Sequence, residues 1–190
     1  MKTQEVALVS VFSAIWIAAQ IYLGPTIGGI TQLHGLTQRM FGWFLMLILA
    51  ELTGKFGNVS VMSTIVALAT RMIRRSASLY IWAVGLGYAL GGLMFDFLFF
   101  LPIVSDVGGK IRRVYLIFVS LISGVVTSIP YILFKFFTLP SEAFIVWVPT
   151  YVPAAIIEVI LSILGTVLGV SILPLIRPWS TMIKSKVRGS

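Results

Sequence analysis

The chain has no cysteine, and one histidine, His34, in 190 residues. Without thiols there is no disulfide framework, no Fe–S ligation and no thiol catalysis. A lone imidazole cannot supply the ligand count of a usual Zn, Ni or Co site. Acids are scarce too: six Asp and Glu stand against fourteen Lys and Arg, and all charged residues together make up 11%. A soluble domain carries about 25% charged residues, so a soluble globular enzyme is excluded. G-x-S-x-G, H-E-x-x-H and P-loop sequences are absent. The chain therefore brings no nucleotide motor and no catalytic constellation, and it is read as a non-enzyme that needs no cofactor. No G-X-Y period occurs, which excludes a collagen-like chain, and the abundance of apolar residues excludes disorder.

What remains is strongly apolar: 58% of residues are hydrophobic and the mean hydropathy is +1.04. That composition predicts an all-α polytopic membrane protein. At about 20 apolar residues per crossing, the chain holds a six-transmembrane-helix bundle as one integral membrane domain over 1–190. The expected spans are 6–23, 40–53, 59–73, 79–101, 114–137 and 153–175. Val6 to Leu23 reads as a retained helix and not a signal peptide, broken by Gly24, Pro25, Gly28 and Gly29. The polar stretch Thr31 to Arg39 follows. Met40 to Thr53 is short and gains a turn from the residues before it. Gly54 to Asn58 is a tight connection and Ser76 to Ser78 the next turn. In the fourth span Gly87 and Gly91 form a GxxxG that permits close helix approach. Pro102 to Arg113 is expected to be a loop. The fifth span places Ser120, Ser123, Gly124, Thr127 and Ser128 on one small, hydroxylic face that should pack against protein. Ala143 to Ile176 is too long for one straight crossing. Pro149 and Pro153 divide it, so 143–152 is expected to lie on the surface or re-enter, and Pro174 and Pro178 end the sixth span before a basic tail.

The net charge of +8 does not point to nucleic acid, because the basic residues cluster at the ends of apolar runs, where they meet lipid headgroups of the bilayer. No nucleic-acid-binding pattern accompanies them. With both termini cytoplasmic, nine Lys and Arg fall inside and five outside, the bias expected of a multi-pass protein of the cell membrane. That orientation puts Arg71, Arg74 and Arg75 outside, either as an anion-attracting patch at the outer mouth or because the third span is misplaced.

Ionisable residues within spans cost about 2.5–3.5 kcal/mol at a helix centre, so each needs a reason. Glu158, one and a half turns into the sixth span, is the leading candidate for a polar ligand contact or a buried pair; a hydrogen bond to the hydroxylic face of the fifth span is the structural alternative. Asp96 and Glu51 read as helix-end or partner-contact carboxylates near the cytoplasmic side. His34, in the outer loop, is a solvated loop residue or a group that donates to substrate. Trp43, Trp82, Trp147 and Tyr151 lie toward the outer side above Glu158. As a ring over one acid they suit a flat heterocycle, and as an aromatic belt they need no ligand. Tyr88 and Ser128 complete the expected substrate-binding set. In the first span Ser10, Ala14 and Ala18 recur at i, i+4 and i+8, a smooth association face whose partner is either another helix of this chain or another protein.

This layout resembles the substrate-binding S component of energy-coupling factor (ECF) vitamin transporters. The resemblance rests on the length, six spans, the Ser10-x-x-x-Ala14-x-x-x-Ala18 stripe, the polar loop after it, and the entry Tyr151-Val-Pro-Ala-Ala-Ile-Ile-Glu158 into a long apolar helix. It implies a small membrane protein that captures a vitamin or precursor on the outer side and docks, through the first-helix stripe, with a membrane T component driven by two cytoplasmic ATPases. Ser10 departs from the all-alanine form of the stripe. Phe41 to Met72 is similar to S components handling thiamine or its hydroxymethylpyrimidine precursor. A self-sufficient carrier or channel is the alternative; neither an inverted repeat nor an acidic pore ring supports it.

Overall fold

The computed structural model describes residues 3–31, 37–73, 79–101 and 109–188, with side chains described for all of these except 28, 30, 31, 37, 109, 110 and 177–188. About 95% of the described residues are helical and none forms a strand. The helices are α1 (Thr3–Ala18), α2 (Gly24–Thr31), α3 (Gly42–Thr53), α4 (Asn58–Ile73), α5 (Leu79–Phe99), α6 (Gly109–Thr138) and α7 (Ser141–Arg188), with π-helical turns at Ala19–Leu23 and Thr37–Phe41. Four stretches, Thr3–Ile27, Leu79–Phe99, Ile111–Thr138 and Ser141–Ile176, are long and apolar enough to cross a membrane. The chain thus carries the helices of a multi-pass membrane protein. At 12 and 16 residues, α3 and α4 reach only about 18 and 24 Å, short of a core of about 30 Å.

The first helix is not broken at Gly24 and Pro25. Proline lacks an N–H and its ring displaces the carbonyl four residues back; the chain absorbs this by widening one turn, so that the Gly24 N–H donates to Ala19 O, five residues back. The helix then resumes as α2. Nor does α7 divide at Pro149 and Pro153 or end at Pro174 and Pro178, since it is continuous from Ser141 to Arg188. Pro149, Pro153 and Pro174 all lie on its exposed side, where each displaced carbonyl can tilt outward. Residues 109–113, expected to be loop, form the first turn of α6.

At one end of the bundle the helix ends are tied by charge. Glu5 of α1 pairs with Lys55 in the α3–α4 turn, and Arg112 of α6 pairs with Glu51 of α3. Asp96 of α5, fully buried, accepts hydrogen bonds from the backbone of Gly57 (3.1 Å) and Ser60 (2.7 Å) and from the Ser60 hydroxyl (2.6 Å). It thereby supplies acceptors to the otherwise unfilled N–H groups that open α4. The N-terminal ends of α1, α4 and α6 thus meet the C-terminal ends of α3 and α5, so successive helices run antiparallel. Gly54 (φ 59°) and Gly57 (φ 96°) adopt the left-handed backbone that this four-residue turn needs.

The core is built around α3, which is apolar on every side and buried at every residue except Phe44, as expected of a helix enclosed by others. Its Trp43 and Met46 share one buried apolar cluster with Trp16 of α1, Met62 of α4, Phe95 of α5 and Leu116 of α6. Between α5 and α6 the backbones touch: a Cβ on Gly87 would collide with the Thr127 carbonyl, and one on Gly91 with the Thr127 methyl. The close approach expected of this GxxxG is therefore present, against the hydroxylic face of α6. That face is inside, with Ser120, Ser123, Thr127 and Ser128 all buried.

Candidate functional site

The short α3 draws the polar residues before it into the bundle. Its preceding π-turn carries Arg39, whose side chain is 4% exposed. A buried guanidinium needs both counter-charge and acceptors. Arg39 Nη1 donates to Gly124 O (3.1 Å) and to Thr127 Oγ1, while Nη2 donates to Glu158 Oε2 (2.6 Å) and reaches Ser128 Oγ at 3.5 Å. Its centre lies 5.5 Å from the Trp43 ring and 5.3 Å from the Tyr88 ring, distances at which aromatic quadrupoles attract a cation. The Nε donor, also buried, has no hydrogen-bond partner among the described residues. Glu158 is more open, at 29% side-chain exposure.

Around this pair a polar chain links the two π-turns. Tyr88 Oη donates to Gln38 Oε1 (2.9 Å), and Gln38 Nε2 approaches Gln20 Oε1 at 3.4 Å. Gln20 belongs to the first π-turn and Gln38 to the second, so the widened turns, a feature frequent at functional sites, converge on the same tyrosine. Trp43 Nε1 donates to Ser123 Oγ (3.2 Å). Arg71 stands 5.5 Å from the Tyr88 ring, with its Nη1 donating to Thr70 Oγ1 (2.7 Å). It is buried, so it is no part of a patch at an outer mouth; Arg74 and Arg75 lie outside the described residues.

Beyond Glu158, toward the α6–α7 connection, Trp147 and Tyr151 stack at 4.8 Å and 16°, and Tyr131 meets both edge-on at 5.7 and 5.3 Å. Tyr151 lies close to Ser128, the residue that also borders Arg39. Of the expected substrate-contacting residues, Trp43, Tyr88, Ser128 and Glu158 therefore gather around one guanidinium, and Trp147 and Tyr151 adjoin them. Trp82 stands apart, 42% exposed, in a groove with Thr64, Leu68 and Leu86 between α4 and α5. His34 lies outside the described residues.

The residue at the centre, Arg39, was not among those expected. A signal for it is present: Arg39 directly precedes an apolar helix too short to cross, so the polar residues ahead of that helix must enter the bundle to complete its length. Gln20 and Gln38 are likewise not singled out by the sequence, whereas Ser123 and Thr127 are expected on the protein-facing side of α6 and are buried there; their contacts with Trp43 and Arg39 are what the sequence does not show. On the opposite side of α1 from Ser13 and Trp16, the stripe Ser10, Ala14 and Ala18 is exposed, so no described helix of this chain covers it. Glu51 and Asp96 belong to the charged end and not to this site. Among the described residues no group of three His, Cys, Asp or Glu is placed to hold a metal ion.

Chemically the site offers a partly open carboxylate, a guanidinium held by hydroxyl and carbonyl acceptors, and aromatic faces alongside. These are means of holding a small flat molecule. Comparison with known protein families, with curated proteins and with solved structures found no match.

Proposed function

We propose that the chain is the substrate-capturing membrane subunit of an ECF-type importer, a six-crossing bundle that binds a vitamin-like heterocycle from the outer side of the cell membrane. The observation that carries this reading is the Arg39–Glu158 pair, buried among Trp43, Tyr88 and the α6 hydroxyls. Polar groups inside a membrane bundle are expensive and mark substrate paths or sites. Six crossings follow if α3 is extended by its π-turn and α4 crosses with a slight local thinning of the bilayer. The antiparallel order of the helices supports that count. Both termini are then cytoplasmic, and the charged end formed by Glu5, Lys55, Glu51 and Arg112 faces the cytoplasm.

A capture subunit needs an outside source of energy, since this chain carries no P-loop. The partners in this reading are a membrane T component and two cytoplasmic ATPases, met through the exposed Ser10, Ala14 and Ala18 face, where small residues let another helix approach closely. Isolation of the native complex tests it. Co-purification with two ATPases and a second membrane protein supports the reading, and ATP-independent uptake by this chain alone in proteoliposomes would replace it with a self-sufficient carrier.

The docking face has its own test. Ala14→Leu and Ala18→Leu should leave folding and ligand binding intact but reduce complex recovery and uptake at least several-fold, because added bulk separates helices that associate by van der Waals packing. Normal uptake in both variants would remove the docking assignment.

A further inference from the structure

The face that α7 buries in the bundle continues past the helices it packs on. Leu161, Ser162, Thr166 and Leu173 are buried, and Ile176 is half-buried. At the same spacing of three or four residues the row runs on through Trp179, Ile183 and Val187, because α7 is helical to Arg188. The helices beside it stop sooner. Ser120 of α6 hydrogen-bonds Thr166 and the two helices are antiparallel, so Gly109, where α6 begins, stands level with about residue 177. A Cβ on Gly165 would meet Met40, and one on Gly169 would meet Leu47; α3 therefore runs parallel to α7, and Thr53, where α3 ends, stands level with about residue 175. By the same register the Arg112–Glu51 ion pair lies near the level of residue 174.

What lies beyond that level is basic as well as amphipathic. Residues 176–188 hold four Lys and Arg and no acid, and Arg177, Lys184 and Arg188 recur seven and four apart, a second face beside the apolar row. Charge is costly in hydrocarbon, so the Glu5–Lys55 and Glu51–Arg112 pairs mark the edge of the membrane core. From residue 174 to Arg188 a helix rises about 21 Å, whereas the headgroup layer adds only about 5–8 Å on each side of the core. The far half of the segment thus stands in water, carrying an apolar row that is unfavourable there. A second copy would cover it poorly, because two such helices repel by like charge. Resting on the orientation proposed above, which puts this end in the cytoplasm, we infer that residues 176–188 of α7 dock in an apolar groove, rimmed by carboxylates, on a water-soluble cytoplasmic protein. A groove of this kind reads a helix through anchors three and four residues apart. The basic flank steers the approach and fixes the register.

Because the chain has no cysteine, a single reporter can be placed at will. A nitrobenzoxadiazole fluorophore on Ile183→Cys, in the full chain in nanodiscs containing phosphatidylglycerol, should be quenched by aqueous iodide and not by doxyl-labelled lipid. Quenching by the lipid alone would lay the segment on the membrane and overturn the inference. In native membranes, benzoylphenylalanine in place of Ile183 should cross-link the chain to a water-soluble subunit of its complex, and in place of Thr181, on the opposite face by register, several-fold less. Lys184→Glu combined with Arg188→Glu should lower recovery of that subunit about ten-fold or more, since like charges across an interface are strongly unfavourable. Salt at about 1 M, which screens charge beyond about 3 Å, should lower wild-type recovery too. Cross-linking from 183 only to lipid or to an integral membrane protein, equal cross-linking from 181 and 183, or recovery indifferent to salt and charge reversal overturns the inference. If in that event ATPases still co-purify and drive uptake, the capture reading stands and only this docking surface is wrong. If the complex holds no ATPase, the capture reading falls, while a salt-sensitive cross-link from 183 to a soluble protein keeps the docking surface.

Discussion

Arg39→Met should lower the stability of the folded bundle by about 2–3 kcal/mol, less than the about 3–5 kcal/mol usual for removing one partner from a fully buried ion pair, because the Glu158 side chain left behind is 29% exposed. Methionine matches most of the side chain's length, so little packing is lost; what changes is the charge. The hydroxyls around the guanidinium are not the reason, because Thr127 Oγ1 already donates to Gly124 O (2.6 Å) within its own helix. Glu158 is the group left uncompensated, at the level where Trp43 and Tyr88 close the site. Adding Glu158→Leu should recover much of the loss, since an apolar pair in place of a buried ion pair is often neutral or stabilising. Thermal unfolding of the wild type, both single variants and the double variant in the same lipid nanodiscs measures this as a double-mutant cycle. A double variant as unstable as the sum of the singles would mean that Arg39 and Glu158 do not act as a pair.

Gly87→Ala should be the most harmful of the glycine-to-alanine changes in α5. Alanine is the better helix former, so on propensity alone the variant would gain stability. The new methyl, however, meets the Thr127 carbonyl, a backbone atom that cannot rotate away, and α5 and α6 must move apart. Overpacking of this kind costs about 1–3 kcal/mol. The displacement also carries Thr127 Oγ1 away from Arg39, so ligand affinity should fall together with stability. Gly29→Ala is the control: it is a helical position with nothing within 4 Å of the new Cβ, and the change should be neutral or stabilising by up to about 1 kcal/mol. If Gly87→Ala and Gly29→Ala melt alike, the close α5–α6 contact does not exist.

The parts of this architecture that the sequence reveals are those set by local periodicity. The hydroxylic face of α6 and the Gly87–Gly91 pair can be read because residues three and four apart share a helix face, and small residues on such a face have little purpose toward lipid. Glu158 can be read because an acid so deep in an apolar run needs a partner. The partner itself cannot: residues 39, 124–128 and 158 are brought together only by the packing of three helices distant in sequence. The prolines depart from their usual helix-breaking effect for a different reason. In water a helix broken at Pro25 or Pro153 can hydrogen-bond to solvent, but a bilayer offers no such partner for freed backbone groups. Widening a turn, or tilting one carbonyl outward, is then the smaller penalty. Trp82 shows the limit of depth as a guide, since residues at one level of a bundle can face opposite directions.

The central claim is that the Arg39–Glu158 centre is where this protein holds a small molecule. Equilibrium binding of a vitamin and heterocycle panel, read by tryptophan fluorescence on wild type, Glu158→Gln and Glu51→Gln, tests it most directly when thermal stability is measured on the same preparations. Gln at 158 loses the charge-assisted hydrogen bond, roughly twice as strong as its neutral counterpart, so affinity should fall about ten-fold or more in protein that remains folded. The same change at Glu51, which belongs to the charged end with Arg112, should leave affinity unchanged. A dissociation constant that does not move in Glu158→Gln would show that the pair only holds the helices together and that any ligand binds elsewhere.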